Sequence, residues 1–444
     1  VSFKDGDAIN AFTAFMTEIE KMRRFGFTEG EVQRAKDNII SAYEKAAEAA
    51  ATRKNSELVR PLINNFYKNE PFLDPQMELM LVQQICSQMI SAPILSQVAA
   101  QVITDDNMIV MFNGPEKEGL TNPTKEELSA VLAAVKNAEI QANVEESVNE
   151  PLISEPLKGS KVKKETKTIY GATEWTLKNG VKVVVLPTDY KVMFTLTLDG
   201  GNSLIATEDM PSFEQNIWAL YLNNSGVSKF SGTQLPKMLA GKNVSVNPYI
   251  TEDRHGIQGQ CTPKDLETAL QLAYLQFTDP RFDETEYQAG IQQIEALLPN
   301  ISSNPDYIFQ MELQKTIYEN NPRVVDLSEE TLAKADLATI ERVYRELFKD
   351  AAGALVRIVG NVDLETLKPL VEKYFGSLPK GKKAGTVNKE NLISLAKGEV
   401  EKTIGIPMQT PKSTVLQLYS AYMPVDTKTE VALKVANYIL DMIY

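Results

Sequence analysis

Thr173-Glu174-Trp175-Thr176-Leu177-Lys178-Asn179-Gly180-Val181-Lys182-Val183-Val184-Val185-Leu186 is the stretch that decides the fold. Strand-forming residues lie on both sides of Asn179-Gly180, and Asn-Gly between two such runs is the strongest short hairpin signal. The reading is two strands, 173–177 and 181–186, joined by a type I′ turn. Phe194, Leu196 and Leu198 then alternate in a third strand that ends at Gly200-Gly201. Helices are expected near 211–223 and 232–240, followed by strands near 243–250 and 254–262. Asp265 leads a helix carrying Leu266, Ala269, Leu270, Ala273 and Phe277. Further helices cover about 284–298, 305–319 and 337–348. A strand, 354–359, ends at Gly360, and Asp363 caps a helix with Leu364, Leu367, Val371 and Tyr374.

Upstream of this body, residues 1–140 read as helices, with a capping box of Thr28 and Glu31. One short strand, Met108 to Phe112, interrupts them before Asn113-Gly114. Residues 141–166 switch from Glu145, Glu146, Glu150 and Glu155 to Lys158, Lys161, Lys163 and Lys164, and read as an exposed, mobile linker. Residues 381–400 read as a second linker. Residues 401–444 open with a strand near 414–422 and finish in a helix with Val431, Val435, Tyr438, Ile439 and Met442 on one stripe.

The two halves repeat. Gly26-Phe27-Thr28-Glu29 matches Arg281-Phe282-Asp283-Glu284. Phe66-Tyr67-Lys68-Asn69-Glu70-Pro71 matches Ile317-Tyr318-Glu319-Asn320-Asn321-Pro322. Val110 to Gly114 matches Val356 to Gly360. The offsets are 255, 251 and 246 residues, so the landmarks keep their order and drift little. The expected fold is α+β: duplicated domains, each an antiparallel sheet covered by helices on one face. The abrupt ends suggest a piece of a longer chain, with the first and last domains incomplete.

Composition narrows the function. The 59 acidic and 46 basic residues give a net charge of −13, against a nucleic-acid or anionic-membrane partner. No run of 18 apolar residues offers a membrane span. With two cysteines, Cys86 and Cys261, a disulfide scaffold is excluded, and both read as small buried hydrophobes. The single histidine, His255, excludes a two-histidine metal site within the chain and reads as a surface or interface residue at a strand edge. Gly200-Gly201 lacks the surroundings of a phosphate loop and reads as a strand-end turn. The alanine run 46–51 contains Glu48 and reads as ordinary helix.

The hairpin Leu177 to Val185, the strand entering Gly200-Gly201-Asn202-Ser203 and the run Pro280-Arg281-Phe282-Asp283-Glu284-Thr285-Glu286 together resemble the pitrilysin/insulinase-type metallopeptidases, which carry an inverted zinc motif, H-x-x-E-H. The resemblance covers nearly the whole chain. It implies that 1–140 is the back part of a second peptidase-like domain, 167–380 a complete non-catalytic domain and 401–444 the front of a further one. Where a catalytic copy would carry its zinc motif, this chain has Pro211 to Tyr221, with no histidine and only Glu214. Where the family has its third ligand, only Glu295 stands. No catalytic, cofactor-binding or metal-binding residue is therefore assigned here. Zinc is expected in the upstream catalytic domain of the parent, whose catalytic half and peptide substrates are the implied partners. The function implied is a substrate-binding, chamber-forming part of a zinc metalloendopeptidase. The alternative is a degenerate, inactive scaffold subunit of a larger assembly. The compartment is cytoplasm or periplasm, with the periplasm slightly favoured.

Overall fold

The computed structural model describes residues 6–106, 108–114, 119–145, 150–213, 216–382, 384–408, 410, 412–420, 423 and 426–443. Two units separate: residues 1–300 with 325–392, and residues 301–324 with 393–444.

The first unit opens with helices α1 (Ala8–Phe25), α2 (Glu29–Glu48), α3 (Asn55–Lys68), α4 (Pro75–Gln88), α5 (Ala92–Val102) and α6 (Lys125–Asn137). The Thr28 hydroxyl accepts Glu31 N–H while the Glu31 carboxylate accepts Thr28 N–H, so the capping box forms at α2; Thr124 and Glu127 make a second one at α6. Residues 108–112 do not form the expected strand. Ile109 and Met111 are 84% and 89% exposed, and among the described residues no neighbouring strand takes up their backbone groups. An apolar run becomes a strand only when a ladder partner exists.

Seven strands make one sheet: β1 (Val162–Lys167), β2 (Thr173–Leu177), β3 (Lys182–Pro187), β4 (Val192–Asp199), β5 (Val244–Ile250), β6 (Arg254–Cys261) and β7 (Leu355–Gly360). Their order is β1-β2-β3-β7-β4-β6-β5, antiparallel throughout except where β7 runs parallel to β3. The intervening helices are α7 (Met210–Phe213), α8 (Ile217–Leu222), α9 (Gln234–Met238), α10 (Leu266–Thr278), α11 (Glu284–Ser302), α13 (Glu329–Lys334), α14 (Leu337–Leu347) and α15 (Leu364–Tyr374). One sheet face is apolar: Val183, Val185, Phe194, Leu196, Ile257, Val356 and Ile358 are each at most 2% exposed. Ala269, Ala273, Ile340, Tyr344, Leu367 and Val371 of the covering helices complete that core.

Three local readings are corrected. The β2–β3 turn is not type I′, which needs positive φ at both central residues. Only Gly180, at φ 100°, has it. Gly180 N–H bonds Leu177 C=O and Leu177 N–H bonds Val181 C=O, which makes a three-residue loop with glycine in the left-handed position. Asn179 is held out of the left-handed region because its amide donates to Phe375 C=O at 2.8 Å. The helix expected over 211–223 is broken into α7 and α8, with Asn216 left-handed at φ 56°. The end of the 141–166 stretch is a strand, not a free connection. Ser160 N–H bonds Glu372 C=O, Val162 N–H bonds the Glu372 carboxylate, and β1 pairs β2. Leu152, Ile153 and Leu157 pack against the core and anchor the stretch on the way.

The second unit holds α12 (Pro305–Ile317) and α16 (Thr427–Ile443). No strand forms among the described residues of 414–422, where Val415 and Tyr419 are 86% and 77% exposed. An extended segment lies along α12: Ala396 N–H bonds Ile317 C=O at 2.7 Å, and Lys402 and Lys412 pair with Glu312 and Asp306.

Candidate functional site

Three places could carry function: the turn that leaves β4, the open sheet face and the sheet edges. At the turn, Gly201 has φ 52°, and a Cβ there would stand 2.2 Å from Thr251 C=O, so only glycine fits. Its N–H donates to His255 Nδ1 at 3.2 Å, and His255 Nε2 meets Leu347 C=O at 2.8 Å. The ring stands edge-on to Phe348, with centroids 5.2 Å apart. His255 is thus not the surface or interface residue expected at a strand edge. It points to the helix-covered face, 3% exposed, because β6 alternates and Ile257 shares its side. With Nδ1 accepting and Nε2–H donating, the ring is neutral, and burial lowers its pKa to about 4. Both nitrogens are engaged in holding β6, the turn and the end of α14 together.

Ser203 is equally occupied. Its hydroxyl accepts Asn388 N–H at 3.0 Å, and its carbonyl accepts the Asn391 amide at 2.8 Å. These bonds draw the beginning of the expected linker 381–400 onto the sheet body. Glu214 lies outside the described residues. Glu295 is exposed on α11. Cys86 and Cys261 are free and buried, and burial pushes the Cys261 thiol up to about 12. Among the described residues no three His, Cys, Asp or Glu side chains gather as a metal site. No described helix is by itself long and apolar enough to cross a membrane.

The sheet face away from the covering helices is mixed, with Met193 and Leu186 exposed on it and one largely polar row crossing it. Thr166, Glu174, Val184, Arg357, Thr195, Gln258 and Asn247 are successive cross-strand partners and form one row over all seven strands. Arg357 is exposed at its centre. Beside the row, Thr197 and Tyr249 share a hydroxyl hydrogen bond of 2.7 Å.

The two edges differ. β1 presents Lys163, Lys164, Glu165 and Lys167 and carries a bulge between Val162 and Lys164, devices that discourage strand addition. At β5, Thr262 N–H bonds Asn243 C=O and Thr251 N–H bonds Arg254 C=O. Antiparallel pairing alternates, so the odd-numbered residues face β6 and the backbone groups of Val244, Val246, Pro248 and Ile250 face outward. Pro248 has no N–H and closes part of that edge. Val244 and Val246 keep both their donors and their acceptors. The register identifies this edge, and Pro248 within a strand-like run is the signal in the sequence that could have pointed to it.

A family model described as "Peptidase M16 inactive domain" matches residues 334–441. The chain is 26% identical over 370 residues to "Zinc protease PQQL-like" of Arabidopsis thaliana, covering 82% of this chain and 36% of that protein. It is 23% identical over 392 residues to "Probable zinc protease PqqL" of Escherichia coli strain K12, covering 85% and 41%. The chain therefore spans about two fifths of the length of these relatives. Among solved structures, the ferredoxin protease FusC in complex with Arabidopsis ferredoxin gives a TM-score of 0.52 at 18% identity, covering 88% of this chain and 43% of that one, a likeness of fold. The chain resembles the non-catalytic part of the pitrilysin/insulinase-type metallopeptidases.

Proposed function

We propose that this chain is the substrate-binding, chamber-forming and non-catalytic portion of a zinc metalloendopeptidase. In this reading zinc and its activated water belong to an upstream catalytic half, and the chain supplies wall and grip. Residues 1–140 form part of one peptidase-like body, 167–380 a second and 401–444 part of a third, with a periplasmic parent. The observation that carries the reading is a helix-backed sheet bounded by an edge, β5, at which the backbone groups of Val244 and Val246 face away from β6. Such an edge takes an extended peptide by adding a strand, which needs no side-chain chemistry from the protein. Val246→Pro would remove the outward N–H and leave the β6-facing groups intact. Peptide binding to the 444-residue chain, read by fluorescence anisotropy with an unstructured labelled peptide, should fall roughly tenfold for that variant, whereas far-ultraviolet circular dichroism should not change. Unaltered binding would move the grip elsewhere. Absence of binding in the parent chain would favour the scaffold reading.

A further inference from the structure

The cation at the centre of the open sheet face, Arg357, is exposed and has no carboxylate partner among the described residues. Register places it opposite Val184 on β3 and Thr195 on β4. One row further along the strands stand Leu186, Val359 and Met193, an apolar row in which Leu186 and Met193 are exposed. On the other side Lys182, also exposed, lies diagonal to Arg357. All of these share one face because strand side chains alternate, and directly opposed Cβ atoms lie about 5 Å apart. Strands β3, β7 and β4 are each laddered on both sides, so the platform is rigid.

The charge here runs against that of the chain, which is −13 in all. Lys182 and Lys164, on the same face, are as free of carboxylate partners among the described residues as Arg357 is. Two acids lie on the face, and both stand off. Glu174 is separated from Arg357 by Val184, two strand spacings or about 10 Å. Asp199 lies at the far end of β4 opposite Arg254, whose guanidinium also meets Asp253 at 3.6 Å. The Thr195 hydroxyl beside Arg357 makes no side-chain hydrogen bond among the described residues. A guanidinium presents its donors as a planar fork that matches a carboxylate, and the hydroxyl adds a further donor.

We infer that this platform binds the free C-terminal carboxylate of a peptide that ends in an aliphatic residue. The carboxylate accepts from the Arg357 guanidinium and the Thr195 hydroxyl, Lys182 adds a second positive charge, and the terminal side chain lies on Leu186, Val359 and Met193. A terminal residue carries its carboxylate and its side chain on one Cα, which matches a lone cation bordered by one apolar row. A run of acidic side chains would extend toward Glu174 and Asp199 and be repelled there. The inference rests on the peptide-holding reading above and names what the open face reads, a chain end. A strand added at β5 would lie four strand spacings from β7, about 19 Å, which an extended tail of about six residues spans.

The test uses the 444-residue chain and one N-terminally labelled, unstructured peptide ending in leucine, read by fluorescence anisotropy. The peptide is compared as the free acid, as the C-terminal amide, and as an amide in which glutamate replaces the last residue. The free acid should bind more tightly than the amide by roughly three- to tenfold, and added salt should narrow the gap. Arg357→Gln should erase the gap by weakening the acid alone, whereas Arg357→Lys should keep part of it. Met193→Ser should weaken acid and amide alike. Both side chains are exposed, so these variants keep the fold, and circular dichroism verifies it. Equal binding of acid and amide, a gap that survives Arg357→Gln, a glutamate amide as tight as the free acid, or no binding of any peptide would overturn the site. Val246→Pro, measured in parallel, should weaken acid and amide equally. A lost gap with β5 still responsive removes only the carboxylate site, and an intact gap with β5 unresponsive removes only the edge.

Discussion

Residues 8–137 and 266–374 run through a similar succession of helices. Helices α1 and α2 correspond to α10 and α11, α3 to α12, α4 and α5 to α13 and α14, and α6 to α15. Where the second copy has β7, the first has Met108 to Phe112. β7 lies between β3 and β4 with Val356 and Ile358 at 0% exposure, whereas Ile109 is 84% exposed and belongs to no strand. Two runs of near-equal apolarity therefore have opposite fates. A strand is a property of the ladder it joins, and the first copy's run has no ladder among the described residues.

Truncation breaks the comparison most directly. Ile358→Ala removes buried methylenes from the middle of the sheet and should cost about 3–4 kcal/mol, whereas Ile109→Ala should stay within about 0.5 kcal/mol. Urea titrations followed by circular dichroism decide it; equal costs would mean that 108–112 is covered in solution.

The next effect is the pH dependence that His255 on β6 contributes. His255 is neutral when folded, with its pKa depressed from 6.5 to about 4. The unfolded chain therefore binds the proton first, and stability is full above about pH 6.5 and declines as pH falls toward about 4, by about 3 kcal/mol in total. His255→Gln should lower stability at neutral pH and flatten that slope. Both tryptophans, Trp175 and Trp218, lie in the 167–380 body, so their fluorescence reports this transition rather than events among α1 to α6. An unchanged slope in the variant would assign the acid sensitivity to carboxylates instead.

The smallest effect tests the repeat at its caps. Thr28 closes α2 and Asp283 accepts Glu286 N–H at the start of α11. Thr28→Ala should cost about 1 kcal/mol. Asp283→Ala should cost somewhat more, because Asp283 also holds the Arg281 guanidinium at 2.8 Å. A silent Thr28→Ala would mean that the first cap contributes nothing to the copy it opens.

The sequence made the second copy legible and the first only partly so. Alternation at 173–198 and the cap at Asp363 gave the strands and α15, because each period is local. The hairpin turn was misread because Asn179 is recruited by Phe375, a residue 196 positions away. His255 was misread for the same kind of reason: which face of β6 it takes depends on α14, remote in the chain. The charges at 158–164 hid β1, since an edge strand can be almost wholly charged and still pair. Glu214 and the strand expected near 414–422 were read from pattern alone, and only the latter could be answered by geometry. The outward groups of β5 needed the register, which no periodicity supplies.

The first copy is fastened to the sheet at two distant strands. Asn38 and Ser41 of α2 hold Gly241 and Asn243 at the mouth of β5, while the chain itself enters through β1 at the opposite edge. Mechanically the two fastenings act in parallel. A pull on the first copy loads both rims of the sheet together, so peeling β1 from β2 does not by itself release the load. The sheet then behaves as a plate clamped at both margins, stiff against splaying, and its soft direction is the bend across its middle strands.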